Sequence, residues 1–244
     1  MRILILGGTA EARQLADRLV ALGHDVITSL AGRTREPILP QGEVRTGPFG
    51  GVPGLGAYLR AARIDRLVDA THPYAGTISR HAVAAAREAG VRLVRYMRPP
   101  WTPLPGQSWI VVDTPREAAD SWPAGAAILL TTGHAGLEIY LQRDDCRLHL
   151  RMIEPPEIAL PPHAELILSR PPFSLAEEMA LMRRHGITHL VSKNSGGAQT
   201  SAKLEAARQL GVEIIMLARP AYGPAHEVDS VEAAIEALDL PGRA

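Results

Sequence analysis

Small residues follow the first apolar run of the chain in a pattern that suits phosphate binding. The run Arg2–Leu6 leads directly into Gly7 and Gly8, and apolar residues then recur at helical spacing from 9 to 22. Backbone N–H groups approach a pyrophosphate closely only where side chains are small, and a helix N-terminus attracts the anion. We therefore expect nucleotide contacts from the turn and the first helical residues: Gly7, Gly8, Thr9, Ala10, Glu11 and Ala12.

Thr9 departs from the strict G-x-G-x-x-G/A fingerprint because it occupies the place of the second glycine. Its hydroxyl could itself bond a phosphate. A plain tight turn between a strand and a helix is the alternative interpretation of this segment.

The second predicted strand, Asp25–Leu30, ends without the acidic residue that holds the ribose of NAD. NAD enzymes place an Asp or Glu about 20 residues after the glycines. Here the first acid after the strand is Glu36, whereas Ser29 and Arg33 offer a hydroxyl and a guanidinium group, which suit a 2′-phosphate. We expect NADPH as the cofactor, with Ser29 and Arg33 among its contacts. The alternative is that Arg33 is a solvated loop charge.

Two further loops carry candidate contacts. Gly50, in a glycine-rich turn, is expected to contact the cofactor, and Thr71, His72 and Tyr74 follow the predicted strand Arg66–Ala70. Ligands of open parallel sheets bind beyond the carboxyl ends of the strands. We therefore expect Thr71 and His72 at the nicotinamide, with His72 and Tyr74 as catalytic candidates. Packing of these side chains within their own loop is the alternative.

Strands and helices alternate along both halves of the chain. The predicted strands are 2–6, 25–30, 43–46, 66–70 and 91–96, then 109–112, 127–131, 147–153, 166–169, 189–192 and 213–217. The predicted helices are 9–22, 53–63 and 78–89, then 115–121, 136–142, 175–185, 201–210 and 231–238. Single helices between successive strands imply right-handed crossovers and parallel sheets.

Four prolines between 98 and 105 interrupt this rhythm and place a domain boundary there. The sequence thus predicts an α/β protein of two Rossmann-like domains, each a mainly parallel sheet flanked by helices, with a cleft between them. Residues 1–98 are predicted to bind NADPH, and residues 99–244 to form a second α/β domain that binds the substrate.

The composition limits the kinds of partner, cofactor and cellular location that we expect. The 244 residues carry 26 basic and 26 acidic side chains, and this balance argues against nucleic acid or an anionic membrane as a partner. Cys146 is the only cysteine, and the nine histidines form no H-E-x-x-H motif, so we expect neither a disulfide nor a metal. Without a signal peptide or an apolar run of about 20 residues, we expect a cytoplasmic protein. We also expect a monomer.

Five segments together resemble the precorrin-6A reductase family of cobalamin biosynthesis, over nearly the whole chain. They are Gly7-Gly8-Thr9-Ala10-Glu11-Ala12, Asp69-Ala70-Thr71-His72-Pro73-Tyr74-Ala75, Arg98-Pro99-Pro100-Trp101, Ser192-Lys193-Asn194-Ser195-Gly196-Gly197 and Arg219-Pro220. One departure is Met97-Arg98-Pro99-Pro100, where the family pattern has an acidic residue between two arginines and then a single proline. The resemblance implies NADPH-dependent reduction of a ring D double bond in a metal-free corrin precursor. A cobalt-containing substrate of the anaerobic branch is the alternative.

A corrin precursor carries many carboxylates, so its site needs cations and N–H donors at loop tips. The second half offers such groups at or near the ends of its predicted strands. We expect substrate contacts from His134, Arg151, Arg170, Lys193, Asn194, Ser195, Gly196 and Arg219. Arg151 alternates with apolar neighbours, and its alternative is a plain exposed strand residue.

The expected reaction needs few catalytic side chains, because the cofactor supplies the hydride and the protein positions the cofactor and the substrate. The nicotinamide is expected near 71–74, with the macrocycle between it and the second half. The accompanying proton could come from a substrate carboxyl, water, His72 or Tyr74. A short-chain dehydrogenase is disfavoured because no tyrosine has a lysine four residues on. A non-catalytic NADP sensor would need the first half but not the cationic loops of the second.

Overall fold

The computed structural model describes residues 1–32 and 37–239. The chain forms two compact units, one from residues 1–99 together with the segment that begins at Pro220, and one from Pro100–Arg219. Each unit holds a six-stranded sheet with helices beside it, which confirms the predicted α/β class. Among the described residues, no helix combines the length and the apolar composition needed to cross a bilayer.

Twelve strands and eight helices make up the described chain. The strands are β1 Arg2–Leu6, β2 Asp25–Leu30, β3 Glu43–Thr46, β4 Arg66–Asp69, β5 Arg92–Tyr96, β6 Trp109–Val112, β7 Ala127–Leu130, β8 Arg147–Met152, β9 Ala164–Leu168, β10 His189–Lys193, β11 Glu213–Leu217 and β12 His226–Val228. The helices are α1 Ala10–Ala21, α2 Gly51–Ala61, α3 Gly76–Ala89, α4 Pro115–Asp120, α5 Leu137–Tyr140, α6 Leu175–Arg184, α7 Ala202–Leu210 and α8 Val231–Asp239.

Five strands have the same order in the two sheets, and the sixth differs: the edge strand β12 is the last strand of its sheet in the chain, whereas the edge strand β6 is the first of its sheet. The first sheet runs β3-β2-β1-β4-β5-β12 and the second β9-β8-β7-β10-β11-β6, and the neighbouring strands in both pair in parallel. In each sheet the order reverses beside one central strand, between β1 and β4 in the first and between β7 and β10 in the second. Loops separate at these switch points and leave a crevice at the carboxyl ends of the strands, where ligands of such sheets bind.

Central strand β1 shows why the first sheet is buried on both faces. Ile3 and Ile5 pack in a core with α1 and α8, whereas Leu4 and Leu6 pack in a second core with α2 and α3. The sequence of a strand that is covered on both faces is a nearly continuous apolar run, as in β1. Each such aliphatic side chain contributes about 1.5–3 kcal/mol by its burial, and this holds the following glycine turn in place.

The second sheet is organised in the same way. Leu129, Leu190 and Ile214, from three neighbouring strands, pack against Met182 of α6 and Leu204 of α7. The carboxyl ends of β7, β10 and β11 are therefore fixed by a core, and the loops that follow them start from rigid positions.

The C-terminal segment differs from the sequence-based division of the chain, which assigned all of 99–244 to the second domain. Strand β12 pairs with β5 of the first sheet, and Val231 and Leu238 of α8 pack in the core beside α1. The physical reason is that β5 would otherwise be an unpaired edge and the α1 face of the sheet would be only partly covered. The described residues from Pro220 onward thus belong to the first unit.

Candidate functional sites

The glycine turn after β1 has two glycines with different roles. A Cβ on Gly7 would lie 2.9 Å from Thr28 Cγ2 of β2, so Gly7 is needed for close packing of the turn against the sheet. Gly8 has φ +109°, and a Cβ built there would have no atom within 4 Å. The turn therefore leaves open space above Gly8, beside the N-terminus of α1, as a bound pyrophosphate requires.

Thr9 connects the two loops that flank the first switch point. Its hydroxyl accepts a hydrogen bond from Ala12 N at 3.1 Å, which caps α1, and donates to Ala70 O at the end of β4 at 2.9 Å. The single hydroxyl hydrogen is thus used within the fold. Thr9 thus holds the glycine turn against the 71–75 loop, and its contact with a cofactor phosphate stays a prediction.

Glu11 lies in the first turn of α1 and pairs with Arg98. Their closest N–O distance is 3.3 Å, and both side chains are largely buried. A carboxylate here interacts favourably with the helix dipole but would repel a phosphate. Arg98 offsets that negative charge. The pair also connects two of the segments that resemble the family, 7–12 and 98–101.

At the end of β2, Ser29 meets an arginine that sequence reasoning missed. Parallel pairing sets Ser29 opposite Arg45 of β3, and Arg45 Nη1 donates to Ser29 Oγ at 2.6 Å. The Arg45 guanidinium lies 3.8 Å from the centre of the Phe49 ring. The predicted partner Arg33 lies outside the described residues. Gly50 caps α2 with φ +81°, at the same carboxyl edge of the sheet.

Asp69 positions the loop that follows β4. Its buried carboxylate accepts from Arg95 Nε at 3.3 Å and from Thr71 Oγ1 at 2.7 Å. Arg95 in turn donates to Gly223 O and to Glu227 Oε1, both at 3.0 Å. The Thr71 hydroxyl is therefore oriented by a network that also holds the C-terminal segment.

His72 and Tyr74 lie side by side, with ring centres 5.9 Å apart. The backbone N–H of Tyr74 donates to His72 Nδ1 at 3.2 Å. An imidazole whose Nδ1 accepts a hydrogen bond carries its hydrogen on Nε2 when neutral. Neutral His72 therefore carries its hydrogen on Nε2, and its ring packs beside that of Tyr74 within the loop.

In the second unit, Asn194 binds protein backbone on both sides of its amide. Trp101 N donates to Asn194 Oδ1 at 2.8 Å, and Asn194 Nδ2 donates to Trp101 O at 3.0 Å. Trp101 Nε1 also donates to Gly197 O at 2.9 Å, and Arg219 Nε donates to Asn194 O at 2.7 Å. Three of the resembling segments meet here, and the Asn194 amide holds the 194–197 loop against Trp101. The expected contact of Asn194 with substrate stays a prediction.

Lys203 is a second lysine at this edge that was not among the predicted site residues. It lies at the start of α7, fully buried, and its Nζ donates to Thr131 Oγ1 at 3.1 Å, just after β7. Nζ also lies 5.2 Å from the centre of the Trp101 ring. Burial first, and then the nearby charge of Arg151, lowers the pKa of Lys203 to about 7.

Arg151 is buried rather than exposed on its strand. Its guanidinium donates to Glu178 Oε2 at 2.7 Å and lies 4.3 Å from the centre of the Phe173 ring. With Ser169 and Ile167, these residues line a cavity of about 200 Å³. Most of the Arg151 charge is offset by Glu178, so a ligand here would meet a hydrogen-bonded pair rather than a bare cation.

The remaining predicted substrate contacts follow the ends of strands in the second sheet. His134 and Arg170 are exposed, in the loops after β7 and β9, and Arg170 lies 4.0 Å from Glu154. Lys193 ends β10, and Ser195 N donates to Lys193 O at 2.8 Å in the turn that contains Gly196, which has φ +68°. The carboxyl edge therefore carries most of these groups, as the strand positions predicted.

The low pKa of Lys203 can be measured directly, because the chain has two lysines. In protein labelled with carbon-13 at lysine Cε, we expect one of two NMR resonances to titrate near pH 7. Between pH 7 and the ordinary lysine value of 10.5, the unfolded chain binds a proton that the folded chain lacks. The free energy of unfolding should therefore rise with pH in this window, relative to Lys203→Met. Two resonances that both titrate near 10.5 would contradict the prediction.

Two doubly wound parallel sheets with loops at their switch points define the Rossmann-like α/β class.

A sequence model of the family described as precorrin-6x reductase CbiJ/CobK matches residues 2–239. A precorrin-6A reductase of Rhodococcus erythropolis is 49% identical over 237 residues, 96% of this chain and 96% of that protein. One of Mycobacterium tuberculosis is 45% identical over 248 residues, 99% of each. The solved structure of CobK precorrin-6A reductase has a TM-score of 0.92 and 39% identity, over 97% of this chain and 95% of that one. The chain belongs to the precorrin-6x reductase family, whose members are oxidoreductases.

Proposed function

We propose that this protein reduces a ring D double bond of precorrin-6A with NADPH, which gives precorrin-6B. The observation that carries the proposal is the open glycine turn at the first switch point. Gly8 has a positive φ and empty space above it, and the turn opens directly into the N-terminus of α1. Family membership supplies the reaction class, and the turn supplies a place for the cofactor's pyrophosphate.

In this proposal the first unit binds the cofactor and the second binds the tetrapyrrole. NADPH, when bound, supplies the hydride. Thr71 and His72 follow β4 at the switch point and would contact the nicotinamide, with Thr71 held by Asp69. Lys193 is the last residue of β10 and Arg170 follows β9, and both would bind peripheral carboxylates of the substrate.

The proton that must follow the hydride has two candidate donors in the first unit. The Tyr74 N–H bond to Nδ1 keeps the imidazole hydrogen of neutral His72 on Nε2. Tyr74 lies beside it and offers a phenol. We propose that neutral His72 orients the reduced macrocycle and that Tyr74 supplies the proton, because His72 could donate a proton only as the imidazolium, in which Nδ1 no longer accepts from Tyr74 N.

We further propose that the substrate is the metal-free corrin precursor. The Rhodococcus and Mycobacterium relatives are named for precorrin-6A, without cobalt, at 49% and 45% identity. Parallel assays with precorrin-6A and with its cobalt complex test this choice. A higher kcat/KM for the cobalt complex would assign the protein to the anaerobic branch instead.

The decisive experiment follows the transferred atom. The protein is incubated with precorrin-6A and with NADPH that carries deuterium at the transferable position of the nicotinamide. We expect a tetrapyrrole product that has gained one deuterium and one proton, detected by mass spectrometry, together with oxidised cofactor. Cofactor binding without any deuterium transfer would indicate an NADP sensor, and the proposed reaction would be wrong.

The preference for NADPH should depend on Arg45, which donates to Ser29, and on the sequence-predicted contact Arg33. Charge-assisted bonds to a phosphate contribute about 1.5–3 kcal/mol each, so Arg45→Met should reduce the NADPH-to-NADH affinity ratio roughly tenfold or more. Arg33→Ala should act in the same direction. Dissociation constants for both cofactors, measured by quenching of protein fluorescence, check this.

The NADH affinity is the internal control for these variants, because NADH lacks the 2′-phosphate. Arg45 also packs on Phe49, so a fold defect would weaken both cofactors alike. Equal affinity of the unaltered protein for NADPH and NADH would contradict the assignment.

Loss of Lys193 should affect the tetrapyrrole and not the cofactor. In the proposal its ammonium group binds a substrate carboxylate, so Lys193→Ala should raise the KM for the tetrapyrrole severalfold while the Kd for NADPH stays constant. Lys193→Arg keeps the charge and should retain most of the substrate affinity. If Lys193→Ala instead weakened NADPH and left the tetrapyrrole KM unchanged, Lys193 would belong to the cofactor site.

A further inference from the structure

We propose that His149, Glu165 and His185 form a binding site for a zinc-type divalent metal ion at the edge of the second sheet. His149 Nδ1 lies 3.1 Å from Glu165 Oε2, and His185 Nδ1 lies 3.3 Å from the same oxygen. The three ligand atoms all lie within 4.8 Å of one another. We call these residues the histidine–glutamate cluster.

The tertiary structure assembles this cluster from three separate elements. His149 lies in β8 and pairs in register with Glu165 of the edge strand β9, while His185 follows the last residue of α6. Sequence spacing does not reveal it, because 36 residues separate the two histidines. His189, four residues after His185, starts β10 and pairs instead with Glu213 at 3.1 Å.

Two of the three separations between ligand atoms match what a tetrahedral ion needs, and the third, between the two histidine nitrogens, is at most 4.8 Å. Zinc–ligand bonds of about 2.0–2.1 Å place the ligand atoms of a tetrahedron roughly 3.3 Å apart. The two N–O distances of 3.1 and 3.3 Å already have this value. An ion would therefore enter with small side-chain movements, and each imidazole would exchange a bond to the carboxylate for a bond to the metal.

The donor set selects the class of ion. Two imidazoles and one carboxylate suit zinc and other late first-row metals, whereas Mg²⁺ and Ca²⁺ prefer oxygen ligands. The charge of Arg147, two residues earlier on the same strand, opposes a cation and should moderate the affinity.

Access to the cluster comes from the carboxylate side. The His149 and His185 side chains are only 8% and 15% exposed, whereas Glu165 is 58% exposed. An ion would reach the histidines past Glu165, and water would fill the fourth position. Because β9 is the edge strand, the ion would crosslink β8, β9 and the end of α6.

The test is a zinc titration of the full-length, chelator-treated protein against a chromophoric zinc indicator. We expect one zinc ion per chain, and at least a tenfold loss of affinity in Glu165→Gln and in His185→Gln. His189→Gln is the matched control, since it removes a histidine–carboxylate pair from the same sheet, and it should bind zinc like the unaltered protein. Cobalt(II) is the second probe, and it should give an intense visible absorption typical of tetrahedral coordination.

A melting-temperature measurement distinguishes zinc binding at the histidine–glutamate cluster from the absence of a site. Zinc should raise the melting temperature of the unaltered protein and not that of Glu165→Gln, because an ion that binds only the folded state stabilises it. Glu165 is exposed, so its replacement should leave the fold intact, and circular dichroism verifies this. No stoichiometric zinc binding, or unchanged affinity in both Glu165→Gln and His185→Gln, would overturn the proposal.

Discussion

Gly8→Val should abolish NADPH binding, with a loss of at least a hundredfold in affinity, while the second unit stays folded. Gly8 adopts φ +109°, a conformation that side chains disfavour, and the space above it is the proposed place of the pyrophosphate. Valine would therefore both strain the turn and occupy the phosphate position. Isothermal titration with NADPH measures the binding, and circular dichroism monitors the fold.

Gly23 provides a matched control at the other end of α1. It has φ +83° and, like Gly8, no atom within 4 Å of a built Cβ. Gly23→Val thus imposes a similar backbone strain far from the proposed pyrophosphate, and it should retain NADPH affinity. Normal NADPH binding by Gly8→Val would refute this placement of the cofactor, and equal loss in both variants would attribute the effect to strain alone.

Arg95→Leu should destabilise the first unit by about 3–5 kcal/mol, because removal of one partner leaves a buried charge without its counterion. Arg95 and Asp69 are 1% and 2% exposed at the side chain, and their N–O distance is 3.3 Å. The variant also loses the bonds from Arg95 to Gly223 and Glu227 in the C-terminal segment. Urea unfolding of the first unit, followed by circular dichroism, measures the change.

The exposed pair Arg18–Glu232 is the control for this prediction. It joins α1 to α8 in the same unit at 3.3 Å, with both side chains more than half exposed. Exposed pairs contribute about 0–1 kcal/mol, so Arg18→Leu should hardly move the unfolding midpoint. A change in Arg95→Leu no larger than that in Arg18→Leu would show that the buried pair does not hold the 71–75 loop and the C-terminal segment.

Several strands were predictable to the residue from local pattern. Asp25–Leu30, Glu43–Thr46, Trp109–Val112 and Glu213–Leu217 have the bounds that the apolar runs and their flanking residues indicate. Strand β12 was not predicted, because it has three residues and its first two are exposed. Its pairing depends on the open edge of β5, which no local pattern encodes.

For the candidate site, too, the sequence located the loops but did not assign the roles of individual residues. The loops 7–12, 71–75 and 192–197 were found from the sequence, since glycines and polar residues after an apolar run mark the carboxyl end of a strand in any parallel sheet. The roles of individual residues within these loops were not found from the sequence. Thr9 and Asn194 use their side chains for the fold, and such partners depend on which chain segment lies alongside.

The sequence by itself determined the alternation of strands and helices, the parallel α/β class and the loops that border each switch point. These features follow from local periodicity and from backbone constraints at glycine and proline, which act over a few residues. Only the tertiary structure decided that Arg45 meets Ser29, that Lys203 is buried beside Thr131, and that three elements bring the histidine–glutamate cluster together. Those contacts join residues 16 to 72 positions apart, and they arise from strand register and helix packing, which depend on the whole core rather than on any one segment.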